Sequence, residues 1–204
     1  VETINFLKVA ISLKFKKFLI MPPAYYKYGH EDVINFYTLL IEAVSDCEII
    51  LYNFKKLSGY QFDIETIKKL VEKFPKQIIG IKDSTANIFE ELKLDNFSVM
   101  LGSESLLLKG LEIGCSGIIT ATCNVNAKLA RKVYDDFMSG KKQTVNQKLC
   151  EVRNIFEKNN VISSLHSYLL KNDSIYKNLL PPLSLLSQKE TQELELKLKK
   201  LNFI

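Results

Sequence analysis

Short apolar runs alternate five times with amphipathic helical segments, and this alternation constrains the fold of the chain more than any other feature. Apolar residues recur at helical spacing between the runs, most clearly over residues 30–44. Such alternation is typical of a parallel sheet whose strands are buried on both faces by helices. The sequence therefore predicts an α/β fold with five strands, in the segments 17–23, 47–53, 77–83, 97–104 and 116–122.

Several predicted helices carry recognisable ends. Asp63 and Ser187 are predicted to be N-caps, because each precedes a run of helix-forming residues. Gly114 and Gly140 are predicted to end helices, since glycine readily adopts the left-handed conformation that follows a helix. A further short helix is predicted over Ile88–Leu94.

The spacing of the strand ends favours a barrel over a doubly wound sheet. The first three ends lie about thirty residues apart, which matches one unit of a (β/α)₈ barrel. Doubly wound sheets usually carry a glycine-rich phosphate-binding turn, and the sequence has no such motif. After Gly140 the apolar strand pattern stops and helical patterns follow. We therefore predict a barrel part over residues 1–140 and a helical extension, packed on the barrel, over residues 141–204.

Composition and charge exclude several classes of protein. The formal net charge is +5, yet the lysines are scattered and only two arginines are present, whereas nucleic-acid-binding proteins usually cluster arginine. No apolar run reaches the ~18 residues that span a bilayer, and Val1–Leu13 lacks the features of a secretory signal. We expect a cytoplasmic protein without a nucleic-acid or membrane partner and without a metal site. Its cysteines are predicted to be reduced thiols at Cys47, Cys115, Cys123 and Cys150.

Two chemically capable side chains lie at predicted strand ends. Lys82 ends one strand within IIGIKDST, and Tyr52 ends the strand before it. Ligands of parallel α/β proteins bind beyond the carboxyl ends of the strands. A lysine whose ammonium form is disfavoured by burial is a nucleophile that forms a Schiff base with a carbonyl, and a neighbouring phenol can pass protons. The alternatives are a solvent-exposed lysine and a packed tyrosine with a satisfied hydroxyl.

Five motifs follow one another in order between residues 22 and 125: PPAYYK, ILYN, GIKDST, LGSE and GCSGIITATCNV. Together they resemble the dihydrodipicolinate synthase / N-acetylneuraminate lyase family of class I aldolases. The resemblance implies a (β/α)₈ TIM barrel in which the five strands are the fourth to the eighth. It also implies that strands one to three are absent from this sequence. We therefore expect an incomplete, N-terminally truncated barrel that is not active alone.

The resemblance implies roles for four residues around a 2-oxo acid. Lys82 is implied to form an imine with pyruvate or another 2-oxo acid. Tyr52 is implied to relay protons during that reaction. Gly102 and Ile119 are implied to shape the pocket of the 2-oxo acid through their backbones.

Four further positions are implied to act on the second substrate or at a subunit contact. Tyr25 and Tyr26 match a tyrosine pair, one member of which reaches a neighbouring subunit's site in the synthases. Leu57 stands where the synthases have an arginine for the carboxylate of the aldehyde. Glu104 is the one residue kept of an acidic pair with which the lyase branch binds sugar hydroxyls.

The function predicted from this resemblance is a carbon–carbon lyase or synthase, most like 4-hydroxy-tetrahydrodipicolinate synthase. Its partners are predicted to be pyruvate or another 2-oxo acid, an aldehyde, and further copies of itself in a dimer or tetramer. No cofactor or metal is implied, because the lysine imine is itself the electron sink. Two alternatives stay open: an aldolase that cleaves a 2-keto-3-deoxy sugar acid or N-acetylneuraminate, and a non-catalytic fragment or binding module.

Overall fold

The computed structural model describes residues 2–204, and the chain divides into two compact units. The first unit comprises the residues up to Gly102 together with Glu112–Ile118. The second unit comprises Ser103–Leu111 and Ile119–Ile204. Because this division groups residues by packing and not by membership of a barrel, the predicted boundary at residue 140 stays a prediction.

A parallel sheet of five strands forms the centre of the first unit, with the strands in the order of the sequence. The five predicted strands are thereby confirmed, although their ends differ. The second and third strands each continue one residue past the predicted ends Tyr52 and Lys82, and the other three stop within their predicted segments. The strands are β1 (Lys17–Ile20), β2 (Glu48–Asn53), β3 (Ile78–Asp83), β4 (Ser98–Leu101) and β5 (Gly117–Ile118).

Helices of the first unit pack along the sheet. Asp63 is the N-cap of α4, as predicted, and its carboxylate accepts a hydrogen bond from the backbone N–H of Thr66 at 2.7 Å. Helix α4 packs against both α2 and β3. The helices are α1 (Glu2–Ser12), α2 (His30–Ala43), α3 (Lys55–Ser58) and α4 (Ile64–Lys73).

Burial alternates along the strands, because successive side chains point to opposite faces of a sheet. On β2, Ile49 and Leu51 are fully buried, whereas Ile50 and Tyr52 are partly exposed. Each fully buried aliphatic side chain contributes about 1.5–3 kcal/mol of transfer free energy. The expectation that both faces are buried is therefore wrong for the described residues: one face carries the core and the other is partly exposed.

The second unit is helical within the described residues. Helices α7, α8 and α9 enclose a core formed by Val152, Phe156, Leu165, Leu194 and Leu198. Ser187 caps α9 as predicted, with Glu190 completing a capping box. The elements are a 3₁₀ helix (Glu104–Leu106), α5 (Leu107–Glu112), α6 (Cys123–Met138), α7 (Asn146–Glu157), α8 (Val161–Leu169), a second 3₁₀ helix (Ser174–Lys177) and α9 (Gln188–Lys200). Over residues 2–204, no helix has the length and apolar character needed to cross a membrane.

Candidate active site

Two rows of side chains cross the sheet near the carboxyl ends of its strands. Tyr52 is in register with Lys82, and Lys82 is in register with Met100. Residues in register on parallel strands face the same way, so these three partly exposed side chains form one row. The next residues, Asn53 and Asp83, form a second row that is fully buried on the opposite face. The sheet thus separates an accessible row from a buried supporting row.

Lys82 and Tyr52 are in contact within the accessible row. The Nζ atom of Lys82 lies 4.1 Å from the centre of the Tyr52 ring. That ring also stacks on Phe54, with 5.9 Å between the ring centres and 24° between the ring planes. A positive charge over the face of an aromatic ring is stabilised by the electron density of the ring. The sequence-predicted pair is therefore brought together, and any cation formed at Nζ has a stabilising neighbour.

The buried row contains an amide–carboxylate network that fixes the strand ends. The side-chain Nδ2 of Asn53 donates to Asp83 Oδ1 at 2.8 Å and to Asn87 Oδ1 at 2.7 Å. The Oδ1 of Asn53 accepts from the backbone N–H of Phe62 at 3.1 Å. The backbone carbonyl of Asn53 accepts from the N–H of Ser84 at 2.9 Å. These contacts hold the ends of β2 and β3, and hence Tyr52 and Lys82, at a fixed separation.

Asp83 also determines the conformation of the segment that follows it. Its carboxylate accepts hydrogen bonds from the backbone N–H groups of Ala86, Ile88 and Phe89, at 2.9, 3.1 and 3.2 Å. Ala86 adopts a positive φ of 58°, which is incompatible with a right-handed helix. The predicted helix over Ile88–Leu94 is wrong: the segment consists of turns and irregular backbone, and its first two residues donate to the Asp83 carboxylate.

Sequence reasoning missed three residues of this region: Asn53, Asp83 and Met100. A usable signal was present for two of them. The dipeptides Tyr-Asn and Lys-Asp stand at the ends of consecutive strands. Because side chains alternate along a strand, a polar residue next to each candidate must face the other side of the sheet. A buried polar residue there requires a hydrogen-bonding partner, which each supplies to the other.

Gly102 lies directly after β4, and its lack of a side chain is required by close packing. A Cβ atom at this position would lie 2.1 Å from the Oγ and 2.9 Å from the Cα of Ser84. The observed contact is therefore between the segments that follow β3 and β4. The predicted approach of a ligand to the backbone of Gly102 stays a prediction.

The tyrosine pair and Leu57 lie at the surface. Tyr25 is 92% exposed and has a positive φ of 84°, and Tyr26 is also largely exposed. The two rings meet edge to face, with 4.9 Å between their centres. Leu57 is exposed on the short helix α3. Exposure of these side chains agrees with roles in contacting a subunit or substrate, and those roles stay predictions.

Glu104 lies in the second unit and has no exposed surface. Its Oε1 accepts hydrogen bonds from Thr120 Oγ1 at 2.7 Å, from Asn126 Nδ2 at 3.2 Å and from the Thr122 hydroxyl. Its Oε2 pairs with the guanidinium of Arg153. Burial alone raises the pKa of Glu104, but the hydrogen bonds from Thr122, Thr120 and Arg153 outweigh it, so the pKa lies below its usual value.

Because the Glu104 carboxylate is enclosed and occupied, the geometry does not favour the predicted direct contact with a substrate. Ile119, the first residue after β5, is partly exposed and precedes Thr120. Two donors to Glu104, Thr120 and Thr122, lie in the segment that Ile119 begins, and the predicted contact of Ile119 with a 2-oxo acid stays a prediction.

A cavity of about 460 Å³ lies at the other end of the sheet. It is lined by residues that precede or begin β4 and β5, including Phe97, Val99 and Cys115. In barrels this amino-terminal end serves stability, whereas the carboxyl-terminal end carries the chemistry. Among the described residues, no group of three or more His, Cys, Asp or Glu side chains is arranged to hold a metal ion.

Comparison with known proteins identifies related chains over nearly the whole sequence. The model of the dihydrodipicolinate synthetase family matches residues 2–201. The 2-dehydro-3-deoxy-D-gluconate/2-dehydro-3-deoxy-phosphogluconate aldolase of Picrophilus torridus is 26% identical over 199 residues, which are 89% of this chain and 70% of that protein. The 4-hydroxy-tetrahydrodipicolinate synthase of Methanopyrus kandleri is 32% identical over 127 residues, 60% of this chain. That match spans 42% of the Methanopyrus protein.

Solved structures with the same fold cover the chain from end to end. YagE, a prophage protein of the dihydrodipicolinic acid synthase family from E. coli K12, solved in complex with pyruvate, has a TM-score of 0.89 at 21% identity. The comparison covers 100% of this chain and 72% of YagE. The dihydrodipicolinate synthase of Thermotoga maritima has a TM-score of 0.88 at 23% identity, over 99% of this chain and 72% of that structure. The chain thus shares the parallel α/β fold of these TIM-barrel proteins.

Proposed function

We propose that this chain, which belongs to the dihydrodipicolinate synthetase family, carries the imine-forming part of a carbon–carbon lyase or synthase acting on a 2-oxo acid. The observation that carries the proposal is the contact between Lys82 and Tyr52 at the carboxyl ends of neighbouring strands. An amine and a phenol in register supply the nucleophile and the proton carrier that imine chemistry needs.

The proposed reaction begins with attack of the neutral Lys82 amine on the C2 carbonyl of pyruvate. The C2–N bond forms as the C2–O double bond becomes a single bond, and a proton passes from the cationic nitrogen to the oxygen to give a carbinolamine. Tyr52 then gives its phenolic proton to the departing hydroxyl, which leaves as water, and an iminium cation remains. The Tyr52 ring below Nζ stabilises that cation as it stabilises an ammonium.

The Tyr52 phenolate left by this step then takes a proton from C3 of the iminium, which yields an enamine and restores the phenol. C3 of the enamine attacks the carbonyl carbon of an aldehyde, and the aldehyde oxygen takes the phenolic proton of Tyr52 as the new carbon–carbon bond forms. Water then adds to the resulting iminium and releases the product from Lys82, whose ammonium returns a proton to Tyr52. Cleavage follows the same steps in reverse, releasing pyruvate and an aldehyde. The iminium itself accepts the electron pair, so the proposal requires no organic cofactor.

We further propose that β1–β5 correspond to the fourth to eighth strands of a (β/α)₈ barrel. The partly exposed row of Tyr52, Lys82 and Met100 supports this assignment, because inward-facing residues of a barrel become enclosed when all eight strands are present. The activity proposed here is that of a barrel in which these five strands are joined by the first three, which we call the closed barrel. Exposure of Tyr25 supports a contact with another copy of the chain, as in a dimer or tetramer.

Two activities, which differ in the carbonyl partner of pyruvate, are candidates. A synthase of the 4-hydroxy-tetrahydrodipicolinate type is the function first predicted from the motifs. A 2-keto-3-deoxy sugar acid aldolase is favoured by Leu57, since an exposed aliphatic side chain cannot bind a carboxylate as an arginine does. The match to the Picrophilus aldolase, which extends over 89% of this chain, supports the same candidate.

The proposal is tested by following the methyl protons of pyruvate in deuterated water by NMR. Enamine formation exchanges these protons without any carbonyl partner, so the test does not depend on the second substrate. We expect exchange in the protein with a closed barrel and none in its Lys82→Ala variant. Exchange at the uncatalysed rate in a folded protein would favour the binding-module alternative. The rate of 2-keto-3-deoxygluconate cleavage is then compared with the rate of condensation of pyruvate with a small aldehyde, which distinguishes the two activities.

A further inference from the structure

We infer that Glu104 and Arg153 are positioning residues: they hold the segment after β5 in place, and Glu104 does not bind substrate itself. The inference rests on the proposed function, because that segment begins with Ile119, whose backbone is proposed to border the 2-oxo acid. Glu104 was predicted to bind sugar hydroxyls directly, and the inference assigns it instead a role in holding the segment that borders the pocket.

The Glu104 carboxylate has little capacity left to accept a further hydrogen bond. A carboxylate offers about four lone-pair sites. Oε1 accepts from the hydroxyls of Thr120 and Thr122 and from the Asn126 amide, and Oε2 accepts from Arg153. A substrate hydroxyl would have to displace one of these donors from a side chain that has no exposed surface.

The Glu104 carboxylate joins segments that follow two different strands. Glu104 begins the 3₁₀ helix that follows β4 in the sequence, and Thr120 and Thr122 follow β5. Arg153 lies on α7. One buried carboxylate therefore ties the loops after two neighbouring strands to a helix of the second unit. Loops after parallel strands build the active sites of barrels, so their geometry is where a positioning residue acts.

The hydrogen bonds around Glu104 continue from Thr120 to the backbone. The Oγ1 of Thr120 donates to Glu104 and accepts from the backbone N–H of Cys123 at 3.3 Å. Cys123 is the first residue of α6. Loss of the Glu104 charge therefore loosens both the segment after β5 and the start of the helix that follows it.

Arg153 supplies the positive charge that pairs with this carboxylate. Its side chain is only 14% exposed, and it also pairs with Glu157 on the same helix. The other arginine of the chain, Arg131, pairs with Asp135 on the surface, with its side chain 68% exposed. Arg131 therefore offers a matched control: the same residue type in an exposed ion pair.

The experiment compares Glu104→Gln, Arg153→Met, Arg153→Lys and Arg131→Met in the protein with a closed barrel. The readouts are the KM for each substrate, kcat, and hydrogen exchange of the amides in segment 119–123. We expect Glu104→Gln and Arg153→Met to lower kcat/KM for pyruvate by up to about 100-fold, since misplacement of reacting groups by about 1 Å slows a reaction by this much. Exchange in the segment rises in both, Arg153→Lys recovers part of each change, and Arg131→Met leaves all readouts unchanged.

Two results would overturn the inference. One is a raised KM for the carbonyl partner with an unchanged kcat/KM for pyruvate, which is the signature of a direct ligand of the second substrate. The other is unchanged exchange in segment 119–123 of folded Glu104→Gln. Thr120→Val, which keeps the charge pair but removes one hydroxyl, provides the same exchange test if Glu104→Gln does not fold. If the wild-type protein forms no imine, the proposed function fails, while the exchange measurement still decides whether Glu104 holds the segment.

Discussion

The side-chain nitrogen of Lys82 lies 4.1 Å from the centre of the Tyr52 ring, because the two residues are in register on neighbouring parallel strands. The register is fixed from the opposite face of the sheet. There the buried Asn53 amide donates to the Asp83 carboxylate at 2.8 Å. The relative position of Lys82 and Tyr52 therefore depends on the hydrogen bond between Asn53 and Asp83.

Replacing Lys82 by arginine is expected to abolish imine chemistry while keeping a positive charge over the Tyr52 ring. A guanidinium remains protonated and cannot attack a carbonyl. We expect turnover to fall by roughly 10³-fold or more, as for other catalytic nucleophiles. Steady-state kinetics of the closed-barrel protein measure the effect. Lys68→Arg, at an exposed lysine of α4, is the control, and equal loss in both variants would contradict a specific role for Lys82.

Tyr52→Phe is expected to slow turnover by about 10²-fold, the lower range for loss of a proton-transferring group. The phenyl ring retains the contact with Lys82 Nζ and the stacking on Phe54. Imine formation should therefore persist at a reduced rate, which single-turnover trapping measures. Tyr134→Phe, whose ring lies beside Arg131 on α6, should behave as wild type. Full activity of Tyr52→Phe would remove the phenol from the mechanism.

Gly102→Ser is expected to destabilise the fold by about 1–3 kcal/mol, the usual effect of overpacking a tight contact. The new Cβ would meet the backbone Cα of Ser84 at 2.9 Å, so a change of rotamer cannot relieve the clash. Gly29→Ser is the control, because a Cβ there has its closest neighbour at 3.4 Å. Urea unfolding of both variants measures the difference. Equal stability would show that the segments after β3 and β4 move apart easily.

Asn53→Ala is expected to lower the free energy of unfolding by roughly 1–3 kcal/mol, because each of its buried partners loses one hydrogen bond. Those partners are the Asp83 carboxylate and the backbone N–H of Phe62. The loosened strand ends should also slow imine formation at Lys82. Asn154→Ala, at an exposed site on α7, serves as the comparison in urea titrations. A drop in stability without slower imine formation would limit the network to a structural role.

The Arg153→Met variant should unfold at a higher pH during acid titration than the wild type. The folded pKa of Glu104 lies below its usual value. Its contribution to stability is therefore complete above the usual carboxyl pKa and is lost as the pH falls through the lowered folded pKa. Without the guanidinium this pKa rises, so the contribution is lost at a higher pH.

At neutral pH, breaking the Glu104–Arg153 pair is expected to destabilise by about 3–5 kcal/mol, because the carboxylate stays buried. Circular dichroism across a pH series measures both effects, and Arg131→Met is the control. An acid midpoint of Arg153→Met equal to that of the wild type would show that Arg153 does not set the pKa of Glu104.

The strands and the main candidate pair were predictable because they depend on local pattern. Apolar runs indicated each strand, and the position of Lys82 and Tyr52 near strand ends was visible in the sequence. Their position at one edge of the sheet follows from the parallel pairing, which the alternation of strands and helices predicts. Their register also depends on a shift between Ile49 and Ile50 in the pairing of β2 with β3, which the sequence does not indicate. Capping by Asp63 and Ser187 was likewise a local signal.

The remaining features depend on contacts between residues far apart in the sequence. Glu104 meets Arg153 across 49 positions, and no local pattern indicates that pairing. The turn after β3 forms because the Asp83 carboxylate binds three backbone amides, which overrides the helical spacing of its apolar residues. Tight packing of Gly102 on Ser84 is likewise set by the sheet and not by the sequence around either residue.

The most direct test of the account is reduction with borohydride in the presence of pyruvate, followed by peptide mass mapping. The protein with a closed barrel is compared with its Lys82→Arg variant, and with Lys68→Arg as the control. The account predicts a reduced pyruvyl adduct on Lys82 in the wild type and in Lys68→Arg, and none in Lys82→Arg. An adduct on another lysine, or no adduct in a folded wild-type protein, would contradict the assignment of Lys82 as the imine-forming residue.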